Sequence, residues 1–470
     1  MSIYNSAIDP DAHPAELQDL PGNILTAHAR EFVALATFRF AADPRAARTL
    51  ARRLGCLVTS AHEQRRTYLH WKKTRTPEPA FHGFALTRSG YAALGINTLD
   101  AGLPTEAPAD PFTVGMRARE PNLSPPTGDR TWESEYRDQT IDGVVLVADW
   151  SEAGCARALA ALLKLPEWTA AITWTHTEQG RSYRNEAGQR VEHFGYADGL
   201  SQPLFLTDEI AEAASQAPAG QPWNPAMPAA AMVVAPVRYP ANPSAGAALR
   251  SGFGSYLVFR KLEQDVAGFA ASCGQLAATL DPAKPDPDFA GACLLGRFPD
   301  GTPLTLSARA QPQTPPRNDF DYRGDFPPTR CPMHAHVRKA NGRTEATNGS
   351  QIVRRGITYG KRAVLASGAL DPSQQPRSGV GLLFMAHMRH LDQFEEMQGR
   401  WLNTDFPSNR AGATDPIAGH ASPPATLQVP VQWGQPTVEP AHKLTLAHFV
   451  TPRGGAYFFA PPLGFLQSLQ

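Results

Sequence analysis

The fold is indicated by residues 32–55, which read FVALATFRFAADPRAARTLARRLG. The first nine residues place phenylalanine or alanine at every second position, which is the period of a half-buried strand. Asp43 then suits a helix N-cap, Pro44 suits the first helical position, and apolar residues repeat at helical spacing until Gly55. The stretch therefore predicts a strand that is followed at once by a helix.

The same pattern recurs along the chain. Further strands are predicted at residues 82–87, 143–149, 169–177, 255–260, 379–388 and 455–460, and further helices at 89–94, 151–163, 266–280 and 391–401. This repetition is compatible with a parallel doubly wound sheet and equally with an antiparallel α+β sheet. The Ala- and Pro-rich residues 208–250 predict a connecting segment with a domain boundary, and residues 281–329 predict a long loop.

Composition excludes several classes of function. The chain has 470 residues, enough for two domains, and 42% hydrophobic with 19% charged residues fits a soluble globular enzyme. Equal numbers of acidic and basic residues give no field that favours nucleic acid or an anionic membrane. No apolar run approaches the ~20 residues of a membrane span, and the N-terminus lacks a secretory signal. We therefore predict a cytoplasmic protein without nucleic-acid or membrane partners.

The five cysteines are odd in number and form no CxxC pair. This pattern argues against a disulfide framework and favours buried free thiols in a reducing compartment.

Candidate metal or cofactor ligands concentrate in residues 331–360, CPMHAHVRKANGRTEATNGSQIVRRGITYG. If the segment is extended, His334 and His336 point the same way and could chelate one metal together with Cys331. If it is helical, they diverge, and a single imidazole could serve as the axial ligand of a haem iron. Arg343 could then pair with a haem propionate, because arginine engages carboxylates through two hydrogen bonds.

A second candidate is HFGYADGLSQP, residues 193–203, which places Asp198 between Gly195 and Gly199. Asp-Gly is a common turn signature. Alternatively, the glycines let the backbone approach a flat ligand while one carboxylate is held above it. The pair Arg354 and Arg355 has the same ambiguity between a surface and a functional role.

Taken together, these motifs resemble those of the dye-decolourising peroxidase family. The matching runs occur in the family's order and cover nearly the whole chain: PGNIL (21–25), GxxDG (195–199), SYLVFRKLEQDV (255–266), AHVRKANGR (335–343), RRGITYG (354–360), GLLFMAH (381–387) and GGAYFFAP (454–461). The resemblance implies an α+β fold of two ferredoxin-like halves, each an antiparallel sheet with peripheral helices. Residues 1–225 would carry the GxxDG motif, and residues 226–470 would hold most of a haem.

The resemblance also implies a function and a site. The protein would carry one haem b per chain, reduce hydrogen peroxide, and oxidise phenols, dyes or other small aromatic one-electron donors through a ferryl haem intermediate. Asp198 and Arg354 would be catalytic on the peroxide side, and His336 would be the axial ligand of the iron. The other implied cofactor-binding residues are Arg343, Gly195, Gly199, Leu382 and Phe384.

The sequence departs from the family pattern at three positions. Gly342 and Thr358 each replace a proline, which leaves looser loops. Gly356 stands where some members of that family have an asparagine. Asp198 and Arg354 would therefore lack a third polar group beside them. An aspartate base has a reference pKa near ~3.9, which predicts activity that peaks at acidic pH.

Several expectations remain open at this level. Asp392 is a candidate partner for the second ring nitrogen of the axial histidine, and Tyr359 and Trp401 are candidates for carrying electrons from the surface. One alternative function is a haem-binding or iron-handling protein with little turnover. A second is a non-haem metallohydrolase that uses the HxH pair. The sequence does not decide between a monomer and a homo-oligomer.

Overall fold

The computed structural model of the chain describes residues 5–96, 109–125, 127–216, 224–240, 249–313, 316–344, 347, 349–404, 414–420, 429–430, 432–435, 446 and 448–470. The strands in these residues are β1 (Phe32–Phe40), β2 (Phe81–Leu86), β3 (Gly143–Asp149), β4 (Ile172–Arg181), β5 (Tyr183–Arg184), β6 (Arg190–Val191), β7 (Val234–Pro240), β8 (Leu249–Gln264), β9 (Val353–Arg354), β10 (Ile357–Tyr359), β11 (Gly381–Met388) and β12 (Val450–Ala460).

The helices comprise short turns and longer amphipathic elements. They are α1 (Pro14–Asp19), α2 (Pro44–Gly55), α3 (Ala61–Thr74), α4 (Arg88–Ala93), α5 (Pro111–Val114), α6 (Met116–Leu123), α7 (Ser134–Arg137), α8 (Glu152–Leu163), α9 (Pro166–Ala171), α10 (Thr207–Gln216), α11 (Val266–Leu280), α12 (Pro287–Leu295), α13 (His336–Ala340), α14 (Asp392–Glu395) and α15 (Leu463–Gln467). Within the described chain, no helix has the length and apolar character needed to cross a membrane.

The sheet is built from two four-stranded antiparallel units. In the first, the strands lie in the order β2-β3-β1-β4, and in the second they lie in the order β12-β8-β11-β10. Each order, with a helix in both crossover connections, is the ferredoxin-like arrangement that the resemblance implied. The structure thereby decides for an antiparallel α+β fold over a parallel doubly wound sheet.

The two units join edge to edge. Leu86 of β2 pairs with Phe459 of β12, and Gly180 of β4 pairs with Tyr359 of β10. Because β8 also pairs with β11, the eight strands close into a ring, with β7 and β9 added at its margin. The apolar side chains of β1 to β3 and of β8, β11 and β12 share one core.

The opening stretch folds as its pattern predicts. The strand β1 has the predicted bounds, and the side chain of Asp43 accepts a hydrogen bond from the backbone N–H of Arg45 at the start of α2. The repeat at residues 143–163 is equally close, since β3 has the predicted bounds and Ser151 caps α8 by accepting a hydrogen bond from the N–H of Gly154. Local sequence therefore determines these strand and helix pairs.

Three local predictions were wrong. Residues 169–171 belong to α9, whose first residue is Pro166, and the strand begins only at Ile172. The presumed connecting segment 208–250 contains most of α10, all of β7 and the first residues of β8, while its residues 217–223 and 241–248 lie outside the described chain. The presumed loop 281–329 contains α12.

Candidate active site

A cavity of about 1780 Å³, counting its opening to solvent, lies against β8 and β11. Successive strand residues face opposite sides, so Arg260, Leu262 and Gln264 of β8 face the cavity, as do Leu382 and Phe384 of β11. The two strands are in register, with Leu382 opposite Leu262 and Phe384 opposite Arg260. Two residues predicted to contact a cofactor, Leu382 and Phe384, therefore line this cavity.

Most of the remaining wall is apolar and comes from the second half of the chain. It includes Leu295, Val337, Ala340, Ile352, Phe394, Met397, Leu402, Ile417, Ala418 and Val450. Among the described residues up to 225, only members of segment 192–203 reach the cavity. The cavity thus belongs mainly to the C-terminal half, with one loop of the N-terminal half across it.

His336 lies at the start of α13 and lines the cavity. Its Nδ1 is 2.6 Å from Oδ2 of Asp415, a carboxylate with no exposed side-chain surface. The other oxygen of Asp415 accepts the backbone N–H groups of Ile417 at 2.7 Å and Ala418 at 3.1 Å. Asp415 is therefore held rigidly, and it occupies one ring nitrogen of His336 while Nε2 remains for a ligand in the cavity.

The charges of this pair stabilise each other. Burial alone would lower the pKa of His336, but the adjacent Asp415 carboxylate raises it above its usual value. Burial would likewise raise the pKa of Asp415, but His336 and the two backbone donors lower it. The prediction that Asp392 is the partner of His336 was wrong. The Asp-Pro-Ile-Ala run at 415–418 did carry a signal that Asp415 is fixed by the backbone, since aspartate often accepts hydrogen bonds from backbone N–H groups two or three residues ahead.

His334 and Cys331 do not join His336 in a metal site. His334 is 1% exposed, and burial lowers its pKa to about 4. Cys331 is fully buried, and burial raises the pKa of its thiol to about 12. No group of three or more His, Cys, Asp or Glu side chains in the described residues is arranged to hold a metal ion. The described structure gives no support to the metallohydrolase alternative.

The GxxDG loop crosses the cavity with Asp198 at its wall. Gly195 and Gly199 have φ angles of 94° and 78°, which favour glycine over residues with a Cβ. A Cβ on either glycine would meet no atom of the described residues within 4 Å. The backbone path therefore favours glycine at both positions, and Gly199 also lines the cavity.

Arg354, on β9, faces Asp198 across the same cavity. Its Nη1 lies 3.6 Å from Oδ1 of Asp198, and the two side chains are 39% and 36% exposed. The Arg354 guanidinium also donates to the backbone carbonyl of Leu200. The structure thus brings together the aspartate and arginine that were predicted from segments far apart in the sequence.

Gly356 borders this pair and lines the cavity. A Cβ at this position would lie 3.1 Å from the carbonyl oxygen of Leu383 and 3.4 Å from Cα of Phe384. A larger residue would therefore press on β11, so this position favours glycine.

Two buried arginines lie behind one side of the cavity. Arg297 lines it, whereas Arg343 is absent from the described lining residues. Both guanidinium groups donate to Oγ of Ser201 and Oδ1 of Asn318, and Ser201 itself lines the cavity. Burial lowers the pKa of Arg297 to about 9, with a further contribution from Arg343. This concentrated positive charge favours an anionic group at Ser201, and Arg297 could not be foreseen because it follows α12 in the presumed loop.

The aromatic residues proposed as surface relays lie inside the protein. Tyr359 is 8% exposed and Trp401 is 2% exposed. Neither is a surface residue, so that part of the sequence interpretation was wrong.

These features meet the requirements of a haem site. The walls of the cavity are largely apolar, as is usual for a cofactor site, and Nε2 of His336 is available as the ligand that histidine supplies to haem iron. The positive charge behind Ser201 suits the propionates. The site and fold together define a protein of the haem peroxidase class.

Comparisons with known proteins agree with that class. Residues 298–423 match the family described as Dyp-type peroxidase, C-terminal. The multifunctional dye peroxidase DyP2 of Amycolatopsis sp. is 37% identical over 96% of each chain. A crystal structure of a DyP-type peroxidase from Anabaena sp. superposes with a TM-score of 0.85 at 30% identity, covering 99% of this chain and 97% of that one.

The dye-decolorizing peroxidase of Exidia glandulosa is 29% identical over 81% of this chain and 74% of its own length. The chain therefore belongs to the dye-decolourising, or DyP-type, peroxidase family. It is an oxidoreductase that acts on peroxide.

Proposed function

We propose that the chain holds one haem b in this cavity, with Nε2 of His336 as the protein's ligand to the iron. One observation carries the proposal: buried Asp415 engages Nδ1 of His336 and leaves the opposite ring nitrogen for the cavity. Ser201, backed by Arg297 and Arg343, would bind a propionate. Residues 226–470 would hold most of the cofactor, and residues 1–225 would contribute the GxxDG loop.

When bound, haem supplies the redox chemistry that converts one peroxide into two one-electron oxidations of donors. The protein supplies proton transfer and charge stabilisation. Asp415 stabilises positive charge on His336 and makes its imidazole more basic, as carboxylate partners of metal-bound histidines do.

Asp198 is the residue we propose for proton transfer. Its carboxylate takes a proton from one oxygen of hydrogen peroxide and delivers it to the other, which leaves as water. Arg354 places a fixed positive charge 3.6 Å from that carboxylate and stabilises the negative charge that develops as the O–O bond breaks. Gly195 and Gly199 set the backbone path that holds Asp198 at the wall.

We propose that the donors are phenols, dyes and other small aromatic compounds. The dye peroxidases of Amycolatopsis sp. and Exidia glandulosa support this substrate class. The balance of 44 basic and 44 acidic residues supports a small neutral or weakly charged donor over a polyanionic partner.

Reconstitution with haem tests the proposal. We expect a Soret band in the wild-type protein and in His334→Ala, and loss of the histidine-ligated spectrum in His336→Ala. Failure of the wild-type protein to give a Soret band would contradict the haem assignment. Peroxide-dependent dye oxidation that falls in Arg354→Leu distinguishes a peroxidase from a haem-binding or iron-handling protein, in which Arg354 would not matter.

A further inference from the structure

Glu192 is a carboxylic residue of the cavity wall that the proposed proton transfer does not use. It precedes the HFGYADG motif and is part-buried, with its side chain facing the cavity. Its neighbours in space include the loop that carries Asp198 and the strand β8, which contributes Gln264.

The loop after Glu192 folds around its carboxyl group. Oε2 accepts the backbone N–H of Phe194 at 2.8 Å, and Oε1 accepts that of Tyr196 at 3.1 Å. The backbone N–H of Glu192 donates to the carbonyl of Tyr196, and the carbonyl of Glu192 accepts from Gly195. One side chain thus engages two N–H groups of the turn that leads to Asp198.

A third contact fixes this turn to the sheet. Nε2 of Gln264 donates to Oε2 of Glu192 at 2.6 Å. Gln264 belongs to the SYLVFRKLEQDV motif, to which the proposed chemistry assigns no role. Beyond the turn, Ala197 donates to the carbonyl of Pro299 and Asp198 donates to that of Arg190. Glu192 therefore joins the loop to β8 just before the backbone reaches Asp198.

We propose that Glu192 is a positioning residue for Asp198, an inference that rests on the proposed function. Within the part of the chain that the structure describes, the Asp198 carboxylate has a 3.6 Å contact with Arg354 and a hydrogen bond from the N–H of its neighbour Gly199 as its polar contacts. Its place in the cavity is therefore set largely by the loop backbone. Gly195 allows this backbone a wide range of conformations. The hydrogen bonds that the Glu192 carboxyl group accepts from Phe194 and Tyr196 restrict that range.

The electrostatic setting is consistent with this role. Burial raises the pKa of Glu192 to about 7, while the N–H groups of Phe194, Gln264 and Tyr196 lower it and the charge of Asp198 raises it further. Glu192 in turn acts on the pKa values of His336 and Arg362.

The test substitutes Glu192→Gln in two backgrounds, the wild-type protein and Asp198→Asn. Glutamine keeps the size of the side chain but replaces one acceptor oxygen with an NH₂ group, which cannot accept the N–H groups of the turn. Stopped-flow measurement of the Soret change gives the second-order rate constant for the haem-loaded protein with hydrogen peroxide. We expect that constant to fall by roughly tenfold to a hundredfold in the wild-type background, as for other small displacements of a reacting group.

In the Asp198→Asn background, Glu192→Gln should cause no further loss, because its effect passes through Asp198. Equal losses in the two backgrounds, or no loss in either, would overturn the proposal. Glu186→Gln serves as the matched control, since Glu186 is exposed in the turn after β5, and it should leave the rate constant unchanged.

Hydrogen exchange provides a readout that does not depend on activity. In haem-free and haem-loaded protein alike, Glu192→Gln should speed the exchange of the amides in residues 194–196, while Glu186→Gln should not. Unchanged exchange would overturn the positioning role. Absence of any peroxide reaction in the wild-type protein would instead contradict the proposed function, so the two failures are distinguishable.

Discussion

At the scale of single residues, Asp415 determines the charge and the orientation of the His336 imidazole, which we propose as the iron ligand. A buried carboxylate 2.6 Å from Nδ1 makes the imidazole a stronger electron donor. Asp415→Asn should keep a hydrogen-bond acceptor there but remove the charge. We expect a more positive reduction potential of the haem iron and a haem affinity roughly ten- to a hundredfold weaker, measured by redox titration and haem transfer.

The control for that change is Asp392→Asn, at the first position of α14. It removes the carboxylate that the sequence offered as the partner of the axial histidine but that lies outside the described cavity wall. We expect the potential and the haem affinity of this variant to match the wild-type values. A shift as large as that of Asp415→Asn would show that general charge, not the contact with His336, sets the potential.

His334 gives a contrasting prediction. Its imidazole is buried and does not line the cavity, and Nε2 has no hydrogen-bond partner in the described structure. His334→Ala should therefore retain haem and activity but lose roughly 1–3 kcal/mol of stability, the usual range for a buried substitution. Denaturant unfolding and the Soret spectrum of the same sample check both parts, and loss of the Soret band would refute the assignment.

The site residues that could be identified from the sequence were those that lie within short sequence motifs. His336, Asp198 and Arg354 each lie in a recognisable motif, and the fold brings them to one cavity. Asp415 could not be assigned as the partner of His336, because the two residues are 79 positions apart in the sequence and only the fold brings them together. Arg297 was missed for a different reason, because it follows α12 in a segment that the sequence predicted to be a loop.

At the scale of elements, the GxxDG loop depends on backbone conformation. Gly199→Ala places a Cβ at φ 78°, which should cost about 1 kcal/mol or more. Because residue 199 follows Asp198 and donates to its carboxylate at 2.6 Å, the substitution should also slow the reaction with peroxide. Thermal unfolding and stopped-flow kinetics measure the two effects separately.

Gly188 offers a matched control. Its φ is 76°, and a Cβ there would likewise meet no described atom within 4 Å, but it lies in the turn between β5 and β6. Gly188→Ala should lose similar stability and react with peroxide at the wild-type rate. If both variants slow the reaction equally, the loss comes from general destabilisation and not from the position of Asp198.

The helix α12 shows why some elements escaped prediction. Residues 290–294 are all buried, so the helix has no polar face and no amphipathic period to reveal it. Its start did carry signals, because Asp286 caps the helix and Pro287 occupies the first turn. The repeated strand and helix units were visible, by contrast, because each has one solvent-facing side.

At the scale of the whole molecule, the closed antiparallel sheet could not be chosen from periodicity. Strands such as β3 are buried at nearly every position, which is also the pattern of a parallel sheet. Pairings such as β4 with β10 join residues 180 and 359. Only the resemblance to a known family could supply those long-range pairings before the structure was known.

The same dense interior makes the protein sensitive to acid. Among the described residues, burial lowers the pKa of six histidines: His28, His387 and His420 to about 3, His193 and His334 to about 4, and His82 to below its usual value. In the unfolded chain a histidine has a pKa near ~6.5, so below that pH the unfolded state binds more protons than the folded state. The free energy of unfolding should therefore fall as pH drops from about 6.5 to 4, by up to about 1.4 kcal/mol per pH unit for each histidine.

Urea unfolding at pH 7 and pH 5 measures this slope, and His387→Gln isolates one contribution. His387 is 5% exposed on β11, so its replacement should make the loss of stability between the two pH values smaller by about 1–2 kcal/mol. The substitution of exposed His70 on α3, His70→Gln, should leave the slope unchanged. A wild-type stability that stays constant or rises toward pH 5 would contradict the argument. If the slope is confirmed, the acidic optimum expected for peroxide turnover is limited on its low-pH side by unfolding, because these buried histidines resist protonation only while the chain stays folded.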